Sequence, residues 1–359
     1  MATIYAIRGL ILEEVLLNLL RESGYTPVDY AQNIDENDVR YDETLHYGAS
    51  GIEVKGRGWN HQIDAIADFI ISPPFSYPLR LLLEAKFYKN KVGIDIIRNA
   101  VGVLKDVDEY WVSNNTNKIA KPRYHYQYAV FSSSSFTNPA QRYAFAQDIY
   151  LIKLENNKYF LPIIESIEDL TYSDFSGSSD KNININLSEF RNKLRRSLKS
   201  SNRLNHYCEE KGFNSRSINA ILETSQSLRY SFLGVIGERF PIFFTPSPSF
   251  HIDDVIGNNQ IRICWNEDSW FIIRDSADCS DLEEKDILFS FDLPKELFEL
   301  YAENNMLSES RALDIKENFM SNIKITFKNH NRDIISSVQL KLDRGWIEEI
   351  KRVSVSMED

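Results

Sequence analysis

The sequence predicts an α/β fold for residues 1–160, a central mixed sheet flanked by helices. A helical segment over 161–230 and an α+β domain over 231–359 follow it. Three observations point there. An apolar pattern with helical period opens the chain, a short and almost wholly apolar run (LRLLLEAKFY) sits where a central strand belongs, and paired apolar runs separated by polar turns fill the last third. At 359 residues the chain is long enough for two or three domains.

Taken in order, residues Tyr5 to Gly24 read as an amphipathic helix. Ile7, Leu10, Ile11, Val15, Leu19 and Leu20 recur near the 3.6-residue period, and Gly24 stands at the stop. Strands are expected at Gly51 to Val54 and Ile63 to Ile71 around the turn Gly56 to Asn60, then at LRLLLEAKFY after a proline-rich connection. A helix from Gly93 to Tyr110, a strand from Tyr126 to Phe131, a helix from Ala140 to Gln147 and a strand from Ile149 to Leu154 complete the first domain. Asn138 is its expected N-cap, with Pro139 first in the helix. The polar stretch Ser173 to Asn186 reads as a linker. Helices follow at Leu187 to Arg203 and Ser217 to Leu228. Hairpins are then expected around Gly237–Glu238–Arg239 and Asn266–Glu267–Asp268, with a helix near Lys295 to Glu303 and strands at Ile323 to Phe327 and Ile334 to Leu342.

Hydrophobic residues make up 43% and charged residues 26%, ordinary for a protein with sizeable cores. No apolar run reaches membrane-spanning length, so no membrane partner is expected. The three cysteines, Cys208, Cys264 and Cys279, form no CxxC pair; they suggest neither a zinc site nor a disulfide framework, and they suit a reducing cytoplasm. The net charge of −11 argues against sequence-blind nucleic-acid binding, since phosphate contacts dominate that affinity.

Chemistry concentrates on the LRLLLEAKFY run. Glu84 and Lys86 are two residues apart, so on a strand both side chains share a face. Asp64 precedes them by 20 residues on the strand before, far enough for an antiparallel return. An acid and a base placed together at the end of an apolar run are what a site at the rim of a sheet requires. Two carboxylates suit a divalent cation, and a lysine suits the transition-state phosphate. Taken alone, E-x-K on a strand is more often a solvated or cross-paired charge couple.

The segments HQIDAIADF, LLLEAKFY and VGIDIIRNAVGVLKDV together resemble the PD-(D/E)xK nuclease superfamily, and specifically Mrr-type restriction endonucleases. LILEEVLLNLLRESGY is similar to that family's opening helix, and AVFSSSSFTNPAQRYAFAQDIYLI to its closing strand–loop–helix–strand. The likeness spans about residues 5–155. It implies a restriction-endonuclease-like core and an active site of Asp64, Glu84, Lys86 and Glu13. Asp64, Glu84 and Glu13 would hold Mg²⁺ (or Mn²⁺). Glu14 adjoins Glu13 and is the alternative ligand; on a helix the two point about 100° apart, so one of them faces the site.

Gln62, of the same strand parity as Asp64, is a candidate for orienting water or phosphate, whereas His61 reads as a polar strand-edge residue. Arg98 stands evenly between phosphate contact and solvated surface. The segment LSEFRNKLRRSLKSSNRL has six basic residues against Glu189, with Leu187, Phe190, Leu194 and Leu198 as one stripe and Asn186 as N-cap. Arg191, Arg195 and Arg196 on it are candidate phosphate contacts. The expected activity is a metal-dependent DNA endonuclease in restriction or phage defence. RNA or structured DNA stays open as substrate, and so does a catalytically silent, binding or assembly subunit. The C-terminal domain is open to recognition, partner binding or homodimerisation.

Overall fold

The computed structural model describes residues 2–28, 42–48, 51–72, 74–110, 124–155, 157, 159–175, 182–230, 232–237, 240–248, 250–251, 253–256, 258–266, 269–302, 306–329 and 334–358. The chain divides into two compact units, Met1–Leu228 and Arg229–Asp359. Residues 176–181 of the expected linker, and parts of the expected turns at 238–239, 267–268 and 330–333, lie outside the described residues.

In the first unit α1 (Ile4–Glu22) leads through Gly24, at φ +89°, into β1 (Tyr25–Pro27). The stop is therefore a left-handed position that glycine fills without strain. A small antiparallel sheet follows, of β2 (Leu45–Gly48), β3 (Gly51–Lys55) and β4 (Asn60–Gln62). The chain bends at Ile63 and Asp64 before β5 (Ala65–Phe69), so the strand expected over 63–71 is shorter, Asp64 stands in the bend before it rather than on it, and β4, in the other sheet, precedes it. The turn between β3 and β4 docks on the next helix. Asp106 accepts from the Gly58 and Trp59 N–H groups at 2.8 and 3.2 Å, and a Cβ at Gly56 would stand 2.0 Å from its carboxylate.

β6 (Leu79–Lys86), α2 (Ile94–Asp108), β7 (His125–Ser132), α3 (Asn138–Ala146) and β8 (Ile149–Lys153) complete a five-stranded mixed sheet in the order β1-β5-β6-β7-β8. β1, β5 and β6 pair antiparallel, while β6, β7 and β8 run parallel, as a helical crossover between strands requires. The cap of α3 is Thr137 rather than Asn138; its hydroxyl accepts from the Ala140 N–H, and the proline lies within the first turn. At the far end of β6, Arg80 is fully buried, paired with Asp42 at 2.7 Å and Asp68 at 2.6 Å under the Tyr124 ring.

The boundary expected near residue 160 is not one. α4 (Leu161–Glu168), α5 (Leu187–Ser200), α6 (Asn205–Lys211) and α7 (Ser215–Ser225) belong to the same unit, with α4 and α5 packed on α1. This explains why α1 buries apolar side chains on nearly every face, from Ile7 and Leu10 to Leu12 and Leu16, rather than along one stripe. The sheet takes one side of it and the later helices take the other. The expected docking stripe of α5 holds, since Phe190, Leu194 and Leu198 are buried and the Asn186 side chain caps the helix.

The second unit is a closed seven-stranded barrel. It is built from β9 (Phe232–Ile236), β10 (Phe240–Pro246), α8 (Asp253–Ile256), β11 (Gln260–Asn266), β12 (Ser269–Arg274), β13 (Ile287–Phe291), α9 (Lys295–Tyr301), α10 (Glu309–Phe319), β14 (Asn322–Asn329), β15 (Ile334–Leu342) and α11 (Arg344–Glu358). The strands close in the order β10-β13-β12-β11-β15-β14-β9 around a core rich in phenylalanine. Cys264 on β11 and Cys279, in a one-turn helix after β12, form a disulfide with a Cα–Cα distance of 5.4 Å. This corrects the expectation of no disulfide. The β11–β12 hairpin folds back and brings together two cysteines that are 15 residues apart in sequence. The reducing-cytoplasm expectation loses the cysteine argument it rested on, since disulfides persist in oxidising compartments. Among the described residues no helix is long and apolar enough to cross a membrane.

Candidate active site

The bend before β5 and the end of β6 meet. Ala65 pairs with Leu83, which sets Asp64 level with the end of β6, and the Ala85 N–H donates to Asp64 Oδ2 at 2.8 Å. Two residues apart on one face of β6, Lys86 Nζ donates to Glu84 Oε1. The Tyr128 hydroxyl donates to Glu84 Oε2 at 3.0 Å. Tyr128 lies across from Leu82 in the parallel β6–β7 ladder, so it shares the face of Glu84. From the other side α1 contributes Glu13, whose Oε2 accepts from Arg191 at 2.7 Å.

Each group bears the mark of the others. Burial, and next the charge of Asp64, push the Glu13 carboxyl up to about 7, with Arg191 only partly offsetting them. Burial and the charge of Glu84 push Asp64 up to about 6, against the Ala85 N–H and Lys86. Burial works against the Lys86 ammonium, but Glu84 outweighs it and holds the amine above its usual range, charged at neutral pH. Burial and Glu84 keep the Tyr128 phenol protonated, hence a donor. Three carboxylates, Glu13, Asp64 and Glu84, share two cations, Arg191 and Lys86, and their hard oxygens suit a divalent cation. Among the described residues no three such side chains stand in metal-holding positions as placed; Glu13 and Glu84 are engaged by Arg191 and Lys86 instead.

The choice between Glu13 and Glu14 follows from α5. Arg195 clamps Glu14 through two bonds of 2.7 Å, and the Glu14 side chain is 1% exposed, a structural ion pair; Glu13 is the acid turned to Asp64. Arg191 and Arg195 therefore face the acids of α1 rather than forming a free basic stripe, while Arg196 is exposed. Gln62 lies on β4, exposed and across from Glu53, so the shared parity with Asp64 is lost at the bend. Arg98 is exposed beside Asp95 at 3.3 Å. His61 meets Asp106 at 2.7 Å, which accords with its reading as a structural polar residue.

Two contributors went unread in the sequence. Tyr128 was legible only as a strand residue, although its alternation with Val130 and Ser132 marks the face it shares with Glu84. The serines of the SSSSFTN loop, Ser132 to Ser135, are buried. Ser133 Oγ accepts from the Tyr88 N–H at 3.0 Å, Ser134 Oγ donates to the Asn90 carbonyl at 2.7 Å, and the Val92 N–H donates to the Ser135 carbonyl at 2.9 Å. They fix the loop that leaves Lys86.

No family model matches the chain, and no curated protein matches it. Among solved structures, one described as a protein of unknown function, AF1548, is 14% identical with a TM-score of 0.33, covering 61% of this chain and 97% of its own.

Proposed function

We propose that this chain is a metal-dependent endonuclease that hydrolyses phosphodiester bonds of DNA. The observation behind this reading is the convergence of Asp64, Glu84, Lys86 and Glu13, from three separate stretches of chain, on the end of β6. The sequence resemblance to PD-(D/E)xK nucleases of the Mrr type supports the same reading and its setting in restriction or phage defence. Asp64 and Glu84, with Glu13 when Arg191 releases it, would hold Mg²⁺ or Mn²⁺, which supplies charge neutralisation and a water of lowered pKa.

The chain's own groups do the rest. Lys86, kept protonated by Glu84, acts as a cation toward the charge that grows on the phosphate, not as a base. The Ala85 N–H and the Tyr128 hydroxyl orient Asp64 and Glu84, so their geometry is set before substrate arrives. Arg191, released from Glu13, and the exposed Arg196 and Arg98 are the cations nearest this role on substrate phosphates. Purified protein incubated with plasmid, linear DNA and RNA, in Mg²⁺ or EDTA, tests the reading. Metal-dependent internal cleavage of DNA is expected; cleavage that persists after chelation, or none on any substrate, would overturn it.

A further inference from the structure

Beside the end of β6 lies a cavity of about 370 Å³, lined from α1 by Tyr5 and Arg8 and from the loop after Lys86 by residues 87–93. Two of its three aromatic groups are left largely to solvent, Tyr5 at 69% and Tyr88 at 46% exposed, with the Arg8 guanidinium 5.9 Å from the centre of the Tyr5 ring. Its charged groups, Arg8, Lys89 and Lys91, are all cationic. Arg8 is tethered through the carbonyls of Glu168 and Leu170, both at 2.6 Å, so main-chain oxygens orient it without cancelling its charge. The loop is rigidly placed by the buried serines and by the Val92–Phe136 bridge. Tyr88 stands two residues beyond Lys86, on the loop that leaves it. In a chain of net charge −11, a basic and aromatic patch next to the acidic cluster is a local reversal.

We propose that this cavity takes one unpaired nucleobase of the strand held at the Asp64–Glu84–Lys86 site, stacked on Tyr5 and Tyr88 with its phosphate on Lys89 and Lys91. The inference rests on the nuclease reading and adds a substrate class to it, DNA that is single-stranded next to the point of cleavage. Two physical points select that class. The volume suits one ring system with its sugar, at the small end of ligand cavities, and is too small for stacked base pairs. Within a duplex, base faces are already covered by their neighbours, so exposed tyrosines gain only from a base outside the stack. Lysines on a flexible stem suit the phosphates of such a strand without demanding a sequence.

The test is binding of a fluorescein-labelled oligothymidylate and of a duplex of equal length to the full chain in EDTA. Wild type should prefer the single strand. Tyr5→Ala with Tyr88→Ala should weaken it about tenfold or more, while Tyr5→Phe with Tyr88→Phe should restore it, since stacking needs the ring and not the hydroxyl. Both tyrosines are exposed, so unchanged melting temperatures are expected and confirm that the variants fold. Duplex preference in wild type, or single-strand affinity indifferent to the alanine pair, overturns the cavity assignment. Cleavage in Mg²⁺ of the same oligothymidylate and of a duplex carrying a single-stranded tail, measured alongside, separates the two ideas. Cleavage without tyrosine-dependent binding removes the cavity alone, whereas tyrosine-dependent binding without cleavage removes the nuclease reading and keeps the cavity as a single-strand site.

Discussion

Lys86 and Glu13 show how one side chain's neighbours decide its chemistry. Glu84 holds Lys86 charged, and under the proposed nuclease reading its loss removes the cation that faces the phosphate in the transition state. Lys86→Ala should lower the cleavage rate ~10²–10³-fold or more while leaving DNA affinity within about twofold. A single-turnover assay beside a binding titration checks this, and wild-type rates in a folded variant would refute it. Glu13→Gln should reduce activity with little loss of stability, whereas Glu14→Gln should act mainly on stability, since Glu14 serves Arg195. The raised carboxyls also set a pH dependence. Glu13 and Asp64 move from ordinary values of 4.5 and 3.8 up to about 7 and about 6, so the folded state binds more protons than the unfolded one between them. Their contribution to stability is full below about pH 4 and is lost as pH rises through 6 to 7. Urea midpoints at pH 5 and pH 8 in EDTA should therefore differ less in Glu13→Gln than in wild type; equal differences would mean that Glu13 is not proton-loaded in the fold.

At the level of elements, α1 and α5 form a charged seam that leucines alone did not announce. The apolar stripe of α5 and the period of α1 were legible because burial leaves its imprint at fixed spacing. The pairing of Arg191 and Arg195 with Glu13 and Glu14 was not, since it joins residues about 180 positions apart and each looks like an ordinary surface charge. The Glu84–Lys86 pair on β6 was legible for the opposite reason: its two residues lie two apart on one strand, and the apolar run around them makes their charge conspicuous. Gln62 was misread because a bend of two residues, Ile63 and Asp64, resets strand parity without any glycine or proline to mark it. The seam makes its own prediction. Arg195→Gln leaves the buried Glu14 carboxylate with Arg191 alone, at 3.6 Å, and should cost about 3 kcal/mol, in line with breaking one partner of a buried pair, whereas exposed Arg196→Gln should stay within about 0.5 kcal/mol. Equal effects in chemical denaturation would deny that the seam contributes to folding.

Over the whole chain, short-range patterns foretold the hairpins of the second unit but not that they close on themselves. Closure depends on β14 reaching β9 and β15 reaching β11 across long stretches of sequence. Such pairings leave no local trace, and neither did the disulfide, whose cysteines approach only after the β11–β12 hairpin forms. A barrel without open edges resists pairing with other chains, so its remaining weak point is the segment after β12, which is short of regular structure. Cys264–Cys279 closes that segment, along with the Arg262 bond to the Ala277 carbonyl at 2.9 Å. Cross-linking a loop of about 15 residues restricts the unfolded chain by about 3 kcal/mol. Reduction, or Cys264→Ala with Cys279→Ala, should lower the stability of this unit by about 2–4 kcal/mol and leave the first unit unchanged. Trp265, Trp270 and Trp346 lie in it, whereas Trp59 and Trp111 lie in the first unit, so urea unfolding followed by tryptophan fluorescence in a Trp59→Phe, Trp111→Phe background reads the barrel, while DNA cleavage by the protein with its tryptophans intact reads the first unit. Identical barrel transitions with and without reductant, together with alkylation of Cys279 in the untreated protein, would show the two thiols apart in solution and return the cysteines to their reading as independent residues.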